Sequence, residues 1–349
     1  MQTPEFNFLS RLLHRTALGS NWIAKASFDL EKSLHYNYTN RAIEKPVFIS
    51  GLARSGSTAL LNLLYATDEF RSLTYRDMPF ILMPGIWKRL STPYRKKNIM
   101  QERAHGDFLM VDLDSPEAFE EVFWRTFCGE EYILSGELIT HDPGKQELAK
   151  FRQFVRNILN SDDADKPRRY LSKNNNNILR LNSLKRAFKD SIILIPFRDP
   201  LLQARSLHKQ HQRFIKLQNK NMFGLRYMGY LGHHEFGLGH KTFRFSSQTI
   251  DVEPKSINYW IEIWIRAYQH LLNTDLPGLH FISHEEACSH PLQLFERLSG
   301  PLSLNFDKNL VSKLYKSSSI KPEHLPIEEK LYTKSRIIYD QLINKTKLY

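Results

Sequence analysis

The sequence predicts an α/β fold, a parallel β-sheet flanked by helices and interrupted by helical insertions. Three observations predict it. Short β-prone apolar runs recur at 45–50, 70–75, 169–173, 191–197 and 278–283, most of them followed by a stretch of helical periodicity, and that alternation builds parallel sheets. The run "SIILIPF" is apolar almost without a break, as a strand buried on both faces must be. With 349 residues, 41% of them hydrophobic, the chain can bury a large core, and nothing in its composition suggests disorder.

Taken in order, the first 35 residues carry apolar side chains at helical intervals, broken by Arg11, His14 and Arg15. They read as a packed amphipathic extension over 1–44, with peripheral membrane contact as the lesser alternative. No apolar run approaches the ~20 residues of a membrane span and no signal-peptide core is evident, so a cytoplasmic location without a membrane anchor is expected. "KPVFIS" then reads as strand, "GLARSG" as loop and "STALLNLLYA" as helix. This is the P-loop NTPase-like arrangement, with Gly51 and Gly56 correctly spaced and Thr58 present. Ser57 stands where the phosphate-reaching lysine belongs, and the cation is Arg54, inside the loop. Backbone N–H groups of residues 54–58, the hydroxyls of Ser55, Ser57 and Thr58 and the Arg54 guanidinium together suit a phosphate or a sulfate.

"FRSLTY" supplies a second strand and "RYLSK" a third, followed by "NNNN" and a helix over about 176–188. At the end of "SIILIPFRDP", Asp199 and Pro200 have the character of the cap and first residue of the helix that follows. Arg198 leaves that strand and Ser206 follows in the next helix. Both can face one crevice, although each alone reads as an ordinary strand-end or solvated helix residue. "GLHFIS" is the last strand, with an amphipathic helix, "HPLQLFERLSG", after it. Ligands of such sheets bind outside the carboxyl ends of the strands.

Lys and Arg exceed Asp and Glu, 49 against 37, for a net charge of +12, which points to an anionic ligand, a nucleic acid or an acidic surface. No helix-turn-helix, RNA-recognition or zinc signature supports a nucleic-acid binder. Residues 87–103 hold six basic residues and one acidic, whereas 112–121 hold five acidic and no basic ones. Such runs are read as solvated faces, with lining of a substrate groove as the alternative. The two cysteines, Cys128 and Cys288, are far apart, which suits a reducing compartment, and neither has metal-site spacing. The stretch 231–245 gathers His233, His234, Glu235 and His240 among glycines and phenylalanines. It lacks a recognised ligand pattern and reads as a surface loop, with a mobile lid as the alternative. Trp260, Trp264, Tyr268 and Leu271 recur at helical spacing and read as a core stripe.

Taken together, the loop and the strand-end motif resemble the sulfotransferase family, whose members move a sulfuryl group from 3′-phosphoadenosine 5′-phosphosulfate (PAPS) to a hydroxyl or amine. The family's first motif is matched by Arg54, Ser55, Gly56, Ser57 and Thr58, and its second by Arg198, Asp199, Pro200 and Ser206. The resemblance implies that the first binds the 5′-phosphosulfate and the second the 3′-phosphate, leaving PAP as product, and that no metal is needed. "YLSKNNNNILRL" resembles a further family segment, with Lys173 kept and Asn175 and Asn177 in place of its Pro and His. "SHEEACSHP" resembles another, with His284, Glu285 and Glu286 in place of Tyr, Glu and Asp, while the Arg-Lys-Gly loop of many members is not recognisable. Arg in the first loop is similar to the bacterial and tyrosyl-protein branches. The resemblance further implies a carboxylate base just after the second strand. Asp77 is that residue here, with His105 as the alternative base. On this reading residues 1–349 form one domain, with insertions at 78–168 and 214–255 on the acceptor side and helices over 303–349. The acceptor, by analogy, is a hydroxyl of a carbohydrate or glycolipid. A P-loop kinase and a basic nucleic-acid binder are the alternatives; Ser57 and the Arg198–Ser206 pair oppose the first.

Overall fold

The computed structural model describes residues 8–34, 42–92, 101–102, 110–247, 249–314 and 326–347. Helices α1 (Phe8–Gly19) and α2 (Asn21–Leu34) precede strand β1 (Val47–Ile49), helix α3 (Ser57–Tyr65) and strand β2 (Phe70–Arg71). The first insertion carries α4 (Pro84–Ser91), the short strands β3 (Gln101–Glu102) and β4 (Met110–Val111), α5 (Glu121–Tyr132), β5 (Glu137–Ile139) and α6 (Lys145–Asn160). The chain returns through β6 (Arg169–Lys173), α7 (Leu181–Ala187), β7 (Ile192–Phe197) and α8 (Pro200–Lys220). After these come α9 (Met222–Tyr230), β8 (Thr242–Arg244), α10 (Ile257–Leu272), β9 (Leu279–Ser283), α11 (His284–Ser289), α12 (Pro291–Leu302), α13 (Lys308–Leu314) and α14 (Glu329–Thr346).

The central sheet runs β2-β6-β1-β7-β9 and every pairing in it is parallel. Its order reverses at β1, which places a crevice at that strand's carboxyl end. Side chains alternate across the sheet as strand geometry requires. Val47, Ile49, Leu171 and Leu194 pack on one face with Leu60 and Leu64 of α3 and with Leu294 and Leu298 of α12. Phe48, Tyr170, Ile193 and Ile195 face the other way, toward Phe123, Phe151, Trp264 and Tyr268. Trp260, Trp264, Tyr268 and Leu271 are all buried on α10, so that stripe is core.

Three expected elements differ in extent, each for a local reason. The second strand stops at Arg71 because Thr74 and Asp77 form a reciprocal capping box that turns the chain into a 3₁₀ segment, Tyr75–Asp77. The helix expected over 176–188 splits into a 3₁₀ segment, Asn175–Leu179, capped by the Asn174 side chain, and then α7. Helix α8 runs on to Lys220, so the opening residues of the second insertion belong to it. Its start is as read: Asp199 accepts from Leu201 N at 3.0 Å and Leu202 N at 3.1 Å, with Pro200 at the first helical position. Among the described residues, no helix is long and apolar enough to cross a membrane.

Candidate active site

The loop after β1 is seated by main-chain bonds on both neighbouring strands. Ser50 N donates to Leu194 O and Asn174 N donates to Ile49 O, each at 2.9 Å. The middle of the loop is pinned from behind. Gln203, on α8, donates from Nε2 to Ala53 O at 3.0 Å, and its own Oε1 accepts from Trp264 Nε1 at 3.0 Å and Tyr268 OH at 3.3 Å. This amide is fully buried and satisfied, so the loop's shape is set before any ligand arrives.

Within the loop, Arg54 at φ 67° and Gly56 at φ 92° adopt left-handed backbone. For Arg54 that conformation costs on the order of 1–3 kcal/mol, and such strain persists at sites where it serves a purpose. Its effect is to swing the side chain across the crevice, where Nε donates to Ser206 Oγ at 3.0 Å. The two motifs therefore meet. Gly56 caps α3 without a side chain, leaving the amides of Ser57 and Thr58 at a helix start that carries no acidic residue in its first turn.

Arg198 emerges beyond β7, with Nε 3.9 Å from Glu285 Oε1. Glu285 also accepts from Asp199 N at 3.0 Å and from Tyr339 OH at 3.2 Å. Arg336 Nη1 completes the brace with a 2.6 Å ion pair to Asp199 Oδ2. Helix α14 thus holds the second motif in place from far along the chain. His284 lies against the loop from the other side, and a Cβ added to Gly56 would meet its Nδ1 at 2.6 Å. Burial, helped by the charges of Arg198 and Arg54, pulls His284 down to about 4, so its ring is neutral near pH 7.

Four buried polar atoms around this crevice have no hydrogen-bond partner among the described residues: Ser50 Oγ, Ser55 Oγ, Arg198 Nε and His284 Nδ1. Leaving such an atom unpaired costs about 1–3 kcal/mol, and four in one place call for a ligand. The set fits a polyanion: two hydroxyls, a guanidinium and an imidazole nitrogen beside a helix amino terminus.

Lys173 ends β6 in register with Ile49, beside the root of the loop. The four asparagines after it are each used. Asn174 donates to Glu121 Oε2 at 2.7 Å, Asn175 to Glu235 Oε1 at 2.8 Å, Asn176 to Gly232 O at 3.1 Å and Asn177 to Glu120 Oε1 at 2.8 Å. The acidic run supplies two of these partners and is, at its end, no solvated face. Glu120 and Glu121 are buried, and Glu121 pairs with the buried Arg180 at 2.7 Å. Most of the basic run lies outside the described residues.

Asp77, expected as a base, is built into the edge of the sheet. Arg71 Nη2 donates to both its oxygens, at 2.8 and 3.1 Å, and Oδ2 also accepts from Thr74 N at 2.7 Å. These contacts tie it to the strand β2 and the turn after it, and none of them runs to the loop at Arg54. His105 lies outside the described residues. Cys128, Glu131 and His141 do approach within 4.8 Å of one another. Arg180 Nε, however, donates to His141 Nε2 at 2.7 Å, which keeps the ring proton on Nδ1, and burial pushes the Cys128 thiol up to about 12. A guanidinium and a protonated thiol are poor company for a cation.

Fold and site define a class of protein: a parallel α/β scaffold with a P-loop-like loop that lacks the lysine, joined through Arg54 to Ser206 on the helix after the neighbouring strand. The sequence model of the sulfotransferase family matches residues 46–224, and the chain belongs to that family. The match spans β1 through α8 and so contains both motifs. No curated protein matches the chain. Among solved structures it is similar to a sulfotransferase from Mycobacterium avium, at 14% identity and TM-score 0.50, over 90% of this chain and 77% of the other. A sulfotransferase from Mycobacterium tuberculosis aligns at 12% identity and TM-score 0.49, over 97% and 87% of the two chains. At 14% identity the likeness to the Mycobacterium avium structure speaks for the fold alone.

Proposed function

We propose that the chain transfers a sulfuryl group from PAPS to a hydroxyl of a carbohydrate or glycolipid acceptor. One observation carries this reading: the 3.0 Å contact from Arg54 Nε to Ser206 Oγ, which gathers both motifs about one crevice lined by unpartnered buried polar atoms. PAPS supplies the activated sulfuryl group. The amides of the loop and of the α3 amino terminus, with Ser55, Ser57 and Thr58, hold its phosphosulfate end. Arg198 and Ser206 hold the 3′-phosphate, and Lys173 adds positive charge where the sheet's crevice opens. Sulfuryl transfer resembles phosphoryl transfer in that positioning and electrostatics do most of the work. Arg54 stabilises the charge that develops on the leaving phosphate oxygen, a contact worth on the order of 3 kcal/mol or about a hundredfold in rate.

The test is to incubate the protein with labelled PAPS and, separately, labelled ATP, and to follow its melting temperature with PAP. PAP should stabilise the fold as any native-state ligand does, and PAPS should be turned over to PAP. ATP turnover with no response to PAP or PAPS would favour a kinase and sink this reading.

A further inference from the structure

We propose that His233 is the general base of the transfer, taking the acceptor's proton on Nε2, with Glu235 as the residue that positions it; this rests on the PAPS reading above. The pair sits on the loop between α9 and β8, which the sequence marks only as a histidine-rich stretch. His233 Nδ1 faces Glu235 Oε1 at 3.5 Å. A carboxylate on one ring nitrogen, with the other left without a protein partner, is the arrangement by which an imidazole is oriented to accept a proton. His233 Nε2 makes no protein hydrogen bond among the described residues, and the side chain is 22% exposed against 11% for Glu235. The 3.5 Å separation is long, but catalytic hydrogen bonds often tighten only once substrate is bound.

The position of the pair is what ties it to the reaction. Asn175, two residues beyond Lys173, donates to Glu235 Oε1 at 2.8 Å, and Asn176 donates to Gly232 O at 3.1 Å. The loop is therefore fastened to the carboxyl end of β6, the strand whose Lys173 is in register with Ile49 at the root of the phosphate loop. The groups facing His233 are Glu235 and His234 on its own loop, Lys173 from β6 and Glu117 from the segment before α5. Burial lowers His233 and Lys173 opposes its charge, but Glu235 outweighs them and the ring is raised above its ordinary value. Glu235 in turn, despite burial, is held well below the usual carboxylate range by His233 and Asn175.

The step balances without any further reagent. As the acceptor oxygen bonds to sulfur, its proton passes to His233 Nε2. The sulfur–oxygen bond to the nucleotide breaks, and its electron pair remains on the leaving phosphate. Glu235 carries the resulting imidazolium.

The test uses the full chain and three readouts: PAP-induced thermal stabilisation, PAP release from PAPS in a single turnover with water as the acceptor, and NMR titration of the His233 ring. His233→Gln should lower PAP release at least about a hundredfold while keeping the thermal response to PAP. Glu235→Gln should lower it about tenfold or more and move both the His233 titration and the acid limb of the rate profile to lower pH. In the wild type, the His233 resonance should titrate above about 6.5 and shift when PAP is added. Normal turnover by His233→Gln, a ring signal indifferent to PAP, or a titration unmoved by Glu235→Gln would each overturn the proposal. Loss of turnover together with the thermal response would make His233 part of the fold and sink it as well. Failure of PAP to bind the wild type would overturn the donor reading itself, a different result from any of these.

Discussion

Replacing Gly56 with alanine tests how the phosphate loop is built, because two separate costs converge there. The first is conformational: at φ 92° a side chain pays on the order of 1–2 kcal/mol for left-handed backbone. The second is steric, since the new Cβ would lie 2.6 Å from His284 Nδ1 and 3.3 Å from Cε1. No ordinary contact is that short, so either the ring or the loop must move. If the loop moves, the amides at the start of α3 lose their aim, and one lost charge-assisted hydrogen bond of about 1.5–3 kcal/mol weakens PAP by roughly ten- to a hundredfold. Calorimetric titration with PAP measures this on four proteins: wild type, Gly56→Ala, His284→Ala and the double variant. The second substitution should relieve the clash and not the backbone strain. The double variant should therefore bind PAP more tightly than the two single losses predict by addition, with a coupling of about 1 kcal/mol or more. Wild-type affinity in Gly56→Ala, or additive losses in the cycle, would refute the close packing of His284 against the loop.

Other outcomes follow from the same geometry. Arg54→Ala and Ser206→Ala should each reduce the rise in melting temperature produced by PAP, and together should lose less than the sum, because the two side chains are bonded to one another at 3.0 Å. Asp77→Asn should lower stability by about 3 kcal/mol, read by urea unfolding, because it breaks a buried pair with Arg71; the folded fraction should still release PAP from PAPS, and a stable but inactive Asp77→Asn protein would restore it as the base. Arg180→Met should cost about 3–5 kcal/mol by leaving Glu121 buried and unpaired. Burial alone would raise Glu121, but Arg180 holds it below its ordinary value of 4.5. Its contribution is therefore present above that pH and is lost as pH falls through the lowered folded value, so the gap between wild type and Arg180→Met should narrow in acid.

What could be read in advance was local. The loop from Gly51 to Thr58 and the cap at Asp199 are set by neighbours in sequence, and glycine spacing and an Asp-Pro pair announce them. Strands as apolar as Ile192–Phe197 announce themselves as well. The bracing of the site was not legible in this way. Arg336 reaches Asp199 across 137 positions and Tyr339 reaches Glu285 across 54, and no local pattern marks either residue. Gln203 has the look of any polar helix residue until Trp264 and Tyr268 close on it. The asparagine tract had the appearance of low complexity because its meaning lies in four different partners, two of them supplied by an acidic run that reads as solvated. Asp77 had two readings for a physical reason: a carboxylate three residues past Thr74 suits a capping box as well as it suits a base, and its bonds to Arg71 and to Thr74 N are visible only in three dimensions. His284 carried a signal in its flanking acidic residues, yet its contact with Gly56 is visible only in three dimensions.

The central claim is that two anion pockets, one at the loop and one at Arg198 and Ser206, hold opposite ends of one nucleotide. Calorimetric titration with PAP and with adenosine 5′-monophosphate, which lacks the 3′-phosphate, tests it most directly. PAP should bind once per chain and about a hundredfold more tightly than the monophosphate. Equal affinities for the two, or no heat with PAP, would contradict it.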